Sequence, residues 1–413
     1  MPPGRAPRVH YGWVVVAAGF TVLFLTYGTQ YAFGLFFTAL ADEFGWSRAS
    51  LAGVFSLYAG TYSTLGVISG RLTDRWGPRR VVALGALLLG TGLALSGLVR
   101  SLPPLYATYL VAGLGMSTAY VPCSSTVVRW FTARRGLAVG LTMAGAGVGI
   151  FACPPLIALL VARLGWRRAY GVLGIGLGLA LGALSVPLVR DPAVRGLRPY
   201  GGAWPEAAAG PSAGERWPVS RVVRHPSFLA LAGVYTATWI FVFMPLVHLV
   251  PLARDLGLPA VVGAAALSIL GVGSLAGRLV MGALSDLIGR RSTLGLALGL
   301  QALSFAGLAL VGGTPGFFTV AALYGFAYGA ITALMPAIVA DFFGPAHAGS
   351  LVGLIFTIAG PTASLGPVLG GWVFDVTGTY AWAFWAAAAL NVLAAGLIGL
   401  ARPPGRGPGA PLT

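Results

Sequence analysis

The sequence has no lysine, few charges of either sign and only two cysteines. Of its 413 residues, 57% are hydrophobic and 9% are charged, whereas about a quarter of the residues of a soluble globular domain are charged. This excludes a soluble globule and indicates a polytopic membrane protein. Cys123 and Cys153 both lie in apolar stretches, which supports neither a disulfide framework nor a cysteine metal site.

The 26 basic residues are all arginine, against 10 acidic residues. They fall between apolar stretches rather than on one face of a soluble domain, which argues against nucleic acid as a partner. With both termini placed in the cytoplasm, 19 arginines fall in inner segments and 6 in outer loops. The positive-inside rule therefore favours cytoplasmic termini.

Two sets of six apolar stretches are long enough to cross a bilayer, which takes about 20 helical residues. They lie near residues 12–39, 49–70, 81–99, 104–128, 137–162 and 169–189, and near residues 227–252, 260–284, 292–312, 316–340, 349–373 and 380–401. We predict an all-α membrane protein with twelve transmembrane helices, in which Gly360-Pro361 kinks the eleventh span. The predicted domains are a bundle at 1–189, a cytoplasmic central loop at 190–226, a bundle at 227–401 and a cytoplasmic tail at 402–413.

An internal repeat supports two pseudo-symmetric six-helix bundles. Asp74 follows the second span and Asp286 follows the eighth, 212 positions later, and the same offset relates Arg129 to Asp341. Parallel repeats are expected of a transporter that rocks one half against the other around a midplane site.

One charge, Arg278, lies inside the eighth span. At mid-bilayer it costs roughly 2.5–3.5 kcal/mol, and its guanidinium cannot be deprotonated. A planar fork of donors suits a carboxylate, so we predict that Arg278 binds a substrate carboxylate and that Ser274, one turn earlier, also contacts substrate. The alternative is a structural arginine bonded to helix ends.

Asp255 and His248 are the candidates for proton coupling. They are seven positions apart and would share a helix face, although Pro251 is expected to end or bend the helix. Asp255 could pair with Arg278 in the empty protein and release it on protonation, or it could merely cap an outer turn beside Arg254. A histidine at the position of His248 is more often a packing residue than a proton relay.

The remaining candidates for substrate binding are tyrosines of the first, fourth and tenth spans. Because a tyrosine in a bundle usually packs and finds one partner, each alone is more often core than ligand. Tyr120 and Tyr328 are the stronger candidates because they lie mid-span. The full set is Tyr27, Tyr31, Tyr120, Tyr324 and Tyr328.

The turns after the second and eighth spans resemble a motif of the major facilitator superfamily, which implies the major facilitator fold. The resemblance implies that these residues latch the cytoplasmic gate and do not touch substrate. The motif residues are Gly70, Asp74, Arg75, Arg79, Gly282, Asp286 and Arg290.

A narrower resemblance is to the monocarboxylate porter and oxalate–formate exchanger branch. It is carried by segments such as His10-Tyr11-Gly12-Trp13, Phe33-Gly34-Leu35 and Ala253-Arg254-Asp255-Leu256-Gly257, and it covers all spans except the central loop and tail. In that branch the arginine matched by Arg278 binds the substrate carboxylate. The lysine that mammalian-type members carry on the first span is matched here by Tyr31, and their aspartate on the eighth span is matched by Ser274. The eleventh span has no basic residue, which favours a single-carboxylate substrate.

We therefore predict a proton-coupled symporter of small monocarboxylates of lactate or pyruvate size. It is interpreted as a bacterial homologue of this branch, a monomer in the cell inner (plasma) membrane, with a small carboxylate and a proton as partners. No Walker sequence or metal-ligand spacing occurs, so we predict no cofactor, no metal and no enzyme activity. The alternatives are an organic-anion exchanger of the oxalate–formate type, an efflux pump for amphipathic compounds, and a non-transporting sensor or intramembrane enzyme.

Overall fold

The computed structural model describes residues 10–202, 222–343 and 345–401. The predicted tail and the middle of the predicted central loop, at 203–221, lie outside the described residues. The chain forms two compact units, one of Met1–Phe44 with Leu57–Ser212 and one of Gly45–Ser56 with Ala213–Thr413. The short segment Gly45–Ser56 is thus grouped with the second unit, which the spacing of apolar stretches does not predict.

The described chain is built of helices, interrupted by two short 3-10 turns. Those of the first half are α1 (Tyr11–Tyr31), α2 (Phe33–Phe44), α3 (Arg48–Trp76), α4 (Pro78–Ser96), α5 (Leu102–Met116), α6 (Tyr120–Trp130) and α7 (Arg135–Ser185). Those of the second half are α8 (Pro226–Trp239), α9 (Met244–Asp255), α10 (Ala260–Ile288), α11 (Arg290–Leu310), α12 (Gly313–Phe343), α13 (Pro345–Ala359), α14 (Leu365–Thr377) and α15 (Ala381–Ile398). The 3-10 turns are Pro192–Arg195 and Pro361–Ser364.

The helices of the described residues account for all twelve predicted spans. By length and hydropathy nine of them could cross a membrane, or ten if the bent α3 counts as one span. The single helix α7 holds spans five and six, because Gly165 interrupts it with a φ of 75°. Span four is divided at residues 117–119 into α5 and α6, each too short to be recognised as a span on its own.

Two predicted helix breaks have different outcomes. Pro251 was predicted to end or bend the helix, and it lies inside α9, which continues to Asp255, so the helix does not end there. Span seven is interrupted earlier, at residues 240–243, between α8 and α9. Span eleven is interrupted where predicted, since the turn Pro361–Ser364 separates α13 from α14.

The same pairing of helices recurs in both units. In the first unit α4 packs on α5 and on α7, and in the second α11 packs on α12 and on α15. Small residues allow the close approach, as where Gly90 faces Gly174 and Gly178, because a missing side chain lets two transmembrane backbones meet. This repeated arrangement is the structural counterpart of the sequence repeat.

We expect Gly165→Ala to lower the free energy of unfolding by about 1–3 kcal/mol, since its backbone conformation is accessible almost only to glycine. Its φ is 75° and its ψ is 157°. The matched control is Gly171→Ala in the same long helix, where an added Cβ has open space. Thermal unfolding in detergent measures both variants, and equal midpoints would contradict the assignment of strain to Gly165.

Candidate functional site

The candidate substrate site lies on α10, the helix that carries Arg278. Ser274 is one turn before Arg278 and is fully buried. Its Oγ and the Nε of Arg278 are buried, and neither atom has a hydrogen-bond partner among the described residues. An unpaired buried donor costs about 1–3 kcal/mol, so two of them one turn apart point to a ligand rich in acceptor oxygens.

Close packing of α10 on α12 holds this part of the chain in place. A Cβ at Gly277, next to Arg278, would overlap the Phe326 carbonyl of α12, and one at Gly329 of α12 would overlap the Ser274 carbonyl. The two backbones therefore meet directly on both sides of the candidate residues. This contact fixes the position of the α10 backbone at Ser274 and Arg278 against α12.

The tyrosines of α12 have unequal roles. Tyr324 is fully buried and its hydroxyl donates to the Val242 carbonyl, which is a packing role. Tyr328 is half-buried, and its ring stacks on that of Tyr324 with centroids 6.3 Å apart. Tyr328 is therefore the better candidate of the pair for substrate contact.

The other three candidate tyrosines belong to the first unit. Tyr27 and Tyr31 stack on α1 with centroids 6.2 Å apart, and Tyr31 is buried. Tyr120 begins α6 and is 44% exposed. The structure thus divides the predicted binding residues into two sets, of which the set on α10 and α12 contains the cation.

The predicted pairing of Asp255 with Arg278 is not what the structure shows. Asp255 ends α9, whereas Arg278 lies 18 residues beyond Ala260, the first residue of α10. At 1.5 Å per residue this places Arg278 about 27 Å along the helix, beyond the reach of an aspartate at its start. Asp255 instead forms a bidentate salt bridge with Arg48, with N–O distances of 2.5 and 2.6 Å. The alternative prediction, that Asp255 only caps a turn beside Arg254, did not include this salt bridge either.

Both ring nitrogens of His248 are used in hydrogen bonds. Nε2 lies 2.8 Å from the Pro367 carbonyl and Nδ1 lies 3.0 Å from the Tyr380 hydroxyl. A carbonyl only accepts, so Nε2 donates to it, and Nδ1 of the neutral ring then accepts from Tyr380. The fully buried His248 therefore fits the packing interpretation better than the relay.

The predicted gate turns make ion pairs within each unit. Asp74 pairs with Arg129 of α6 at 2.5 Å, while Arg290 pairs with Asp286 at 2.5 Å and with Asp341 at 3.3 Å. Arg129 and Asp341 occupy equivalent repeat positions, so the second unit uses an acid where the first uses a base. The remaining polar members of the motif, Arg75 and Arg79, are exposed.

The chemistry available on α10 is that of anion binding. Arg278 keeps its charge and cannot act as a base. Over residues 10–202, 222–343 and 345–401, no group of three His, Cys, Asp or Glu side chains could hold a metal ion. The arrangement can bind an anion by charge and hydrogen bonds, and it places no nucleophile beside a general base.

Comparison with known proteins identifies the family. The family model of the Major Facilitator Superfamily matches residues 19–360 and 227–412. Monocarboxylate transporter 11 of Homo sapiens is 32% identical, over 92% of this chain and 81% of that protein. Monocarboxylate transporter 13 of Rattus norvegicus is 30% identical, over 95% and 89%. This chain belongs to the monocarboxylate transporter family of the major facilitator superfamily.

Solved structures of other superfamily members show the same fold. A bacterial homolog of the human lysosomal transporter Spinster superposes with a TM-score of 0.75 at 16% identity, covering 96% of this chain and 97% of that one. The nucleoside transporter NupG gives a TM-score of 0.75 at 12% identity, covering 94% and 99%. For this monocarboxylate transporter homologue, the predicted family and the predicted twelve-helix major facilitator fold are confirmed.

Two polar residues of this family member were not selected from its sequence. Arg48 lies at the first residue of α3, where an arginine is indistinguishable from the other outer-loop arginines by sequence alone. Gln30 of α1 is buried, and its Nε2 donates to the Tyr62 hydroxyl while its Oε1 has no partner among the described residues. Gln30 could have been selected from the sequence, because it is a polar amide inside an apolar span.

Proposed function

We propose that this protein is a secondary active transporter that moves small monocarboxylates of lactate or pyruvate size together with a proton. Arg278 binds the carboxylate, and Ser274 bonds one of its oxygens or the substituent on the next carbon. The carrier alternates between outward and inward states in the cell inner (plasma) membrane, with both termini in the cytoplasm. It acts as a monomer.

One observation carries this proposal, the buried Arg278 Nε with the buried Ser274 Oγ one turn away, both unpaired among the described residues. A structural arginine bonded to helix ends would have its donors paired. A guanidinium presents parallel N–H groups that match a carboxylate, which is why a carboxylic acid suits the site better than a neutral solute.

The number of cations favours one carboxylate. The α13 and α14 segment from Leu351 to Thr377 carries no basic residue, so a second carboxylate would have no cation on that span. The relatives named above are monocarboxylate transporters, which supports the same substrate class. Asp255 is the proposed proton acceptor, now with Arg48 rather than Arg278 as its ion-pair partner.

The test is uptake of labelled lactate into proteoliposomes with an imposed pH gradient, acidic outside. We expect uptake to accelerate with the gradient, because the proton is a co-substrate, and Asp255→Asn to abolish the acceleration. An excess of unlabelled pyruvate is expected to compete, whereas a neutral analogue such as lactamide is not.

Other outcomes would identify the alternatives. Uptake that ignores the gradient and needs an anion on the opposite side would show an exchanger. Competition by amphipathic compounds lacking a carboxylate would show an efflux pump. Binding without flux would show a sensor.

A further inference from the structure

Arg48 is held in the second unit by both its side chain and its backbone. Its guanidinium bonds both oxygens of Asp255, lies 3.6 Å above the ring centre of Phe374, and donates to the Tyr380 hydroxyl at 2.6 Å. The carboxylate of Asp375 accepts from the backbone N–H groups of Arg48 and Ala49 at 2.9 and 2.8 Å.

The sequence around α3 explains why it needs partners from elsewhere. The first turn of α3 contains no acidic residue. Ser47, just before the helix, accepts from the Ser50 N–H at 3.2 Å, but a helix start has further N–H groups without partners in the helix, here those of Arg48 and Ala49. Asp375, at the end of α14, supplies the missing acceptor. Gly371 permits the contact, since a Cβ there would press on the backbone of Arg48 and Ala49.

The two anchors of this helix start rest on two different carboxylates. The backbone caps depend on Asp375, whereas the side-chain anchor depends on the charge of Asp255. A bidentate guanidinium–carboxylate pair is strong because the carboxylate accepts two bonds and carries a charge. A protonated carboxyl group carries no charge and has one oxygen occupied as a donor, so it holds the guanidinium weakly.

Asp255 lies at the end of α9 and pairs there with Arg48 of α3. The neighbouring helix α10 contributes no charged residue before Arg278. The charged and titratable groups around the pair are Asp375 of α14, Tyr380 before α15, and His248 and Arg254 of α9. His248 is tied to Tyr380, which links it to Arg48 without a direct bond.

We infer that Arg48 is a positioning residue of the transport cycle, the cation that Asp255 holds while ionised and releases when it takes up a proton. Release frees the start of α3, residues 48–56, from its side-chain anchor. The inference rests on the proposed proton-coupled transport and names the element through which the proton acts.

Hydrogen–deuterium exchange of residues 48–56 tests the inference without any substrate. Asp255→Asn removes the charge of the side chain, as protonation does. After correction for intrinsic exchange and at one pH, this variant is expected to show about tenfold lower protection of residues 48–56 than the unaltered protein, the size expected for a lost charged hydrogen bond. Arg48→Gln is expected to show the same low protection, and Arg100→Gln, at an exposed arginine between α4 and α5, to behave like the unaltered protein. Unchanged protection of residues 48–56 in Asp255→Asn overturns the inference.

Lactate flux in proteoliposomes supplies the second readout. Arg48→Gln is expected to lose stimulation by the proton gradient while lactate–lactate exchange continues. Arg48→Lys is expected to keep part of the stimulation. The double variant Arg48→Gln/Asp255→Asn is expected to match the single variants. Equal loss of net uptake and exchange in Arg48→Gln would show a merely structural role. If the unaltered protein transports no lactate, the proposed function fails. The hydrogen–deuterium exchange of residues 48–56 still tests whether Asp255 anchors Arg48.

Discussion

Replacing Arg278 by alanine is expected to reduce lactate uptake about a hundredfold or more, and replacing it by lysine nearly as much. Removing one partner of a buried, hydrogen-bonded charge pair costs about 2–5 kcal/mol, and about 2.7 kcal/mol is a factor of a hundred. Lysine keeps the charge but presents a point donor in place of the planar fork. Initial rates in proteoliposomes, normalised to inserted protein, measure the effect.

The controls for Arg278 separate binding from folding. Arg100→Lys makes the same chemical change at an exposed arginine between α4 and α5 and is expected to leave uptake unchanged. Lactate should raise the thermal midpoint of the unaltered protein by mass action and leave that of Arg278→Ala unmoved. Normal uptake by Arg278→Lys would refute the bidentate interpretation, and normal uptake by Arg278→Ala would refute the site.

Gly277→Ala is expected to have the largest effect on stability. The added Cβ would overlap the Phe326 carbonyl, a backbone atom that cannot rotate away, so α10 and α12 must separate. Overpacking of this kind costs about 1–3 kcal/mol or more, and here it also displaces Arg278, the next residue. Both the thermal midpoint and the uptake rate of the variant should fall.

The control variant for Gly277→Ala is expected to change the stability of the protein in the opposite direction. Gly299 lies inside α11, and a Cβ added there meets no atom within 4 Å. Gly299→Ala should therefore stabilise the protein by about 0.5–1 kcal/mol, because alanine loses less backbone entropy in a helix. If both variants unfold at the same temperature, contact between α10 and α12 is not what limits substitution at Gly277.

The candidate site was predictable in part, for a simple physical reason. A charge in an apolar span is costly wherever the span lies, so Arg278 can be recognised from the linear sequence. Ser274 is then selected because helical periodicity places it one turn before Arg278. The partner of Asp255 was not predictable, because ion pairs between distant segments depend on which helix ends meet. Asp255 and Arg48 are 207 positions apart in the chain, and no local pattern relates them.

Helix interruptions could likewise be predicted from the sequence only in part. Gly360-Pro361 does interrupt span eleven, since a glycine and a proline together remove a side chain and a backbone donor. Pro251 does not end α9, although it removes a donor as well. In a packed bundle, neighbouring helices can accommodate a proline, and whether they do so is decided by their positions.

The sequence by itself determined that the chain is a two-fold repeat of six membrane helices with one arginine inside the eighth. Span length and hydropathy are local properties, and a repeat is found by comparing one stretch of the sequence with another, without knowing which helices touch. Only the tertiary structure decided that Asp255 meets Arg48, that Tyr324 is committed to packing, and that segment Gly45–Ser56 belongs with the second unit. Such contacts arise from the close approach of helices at small residues and helix ends, which depends on all the surrounding side chains at once.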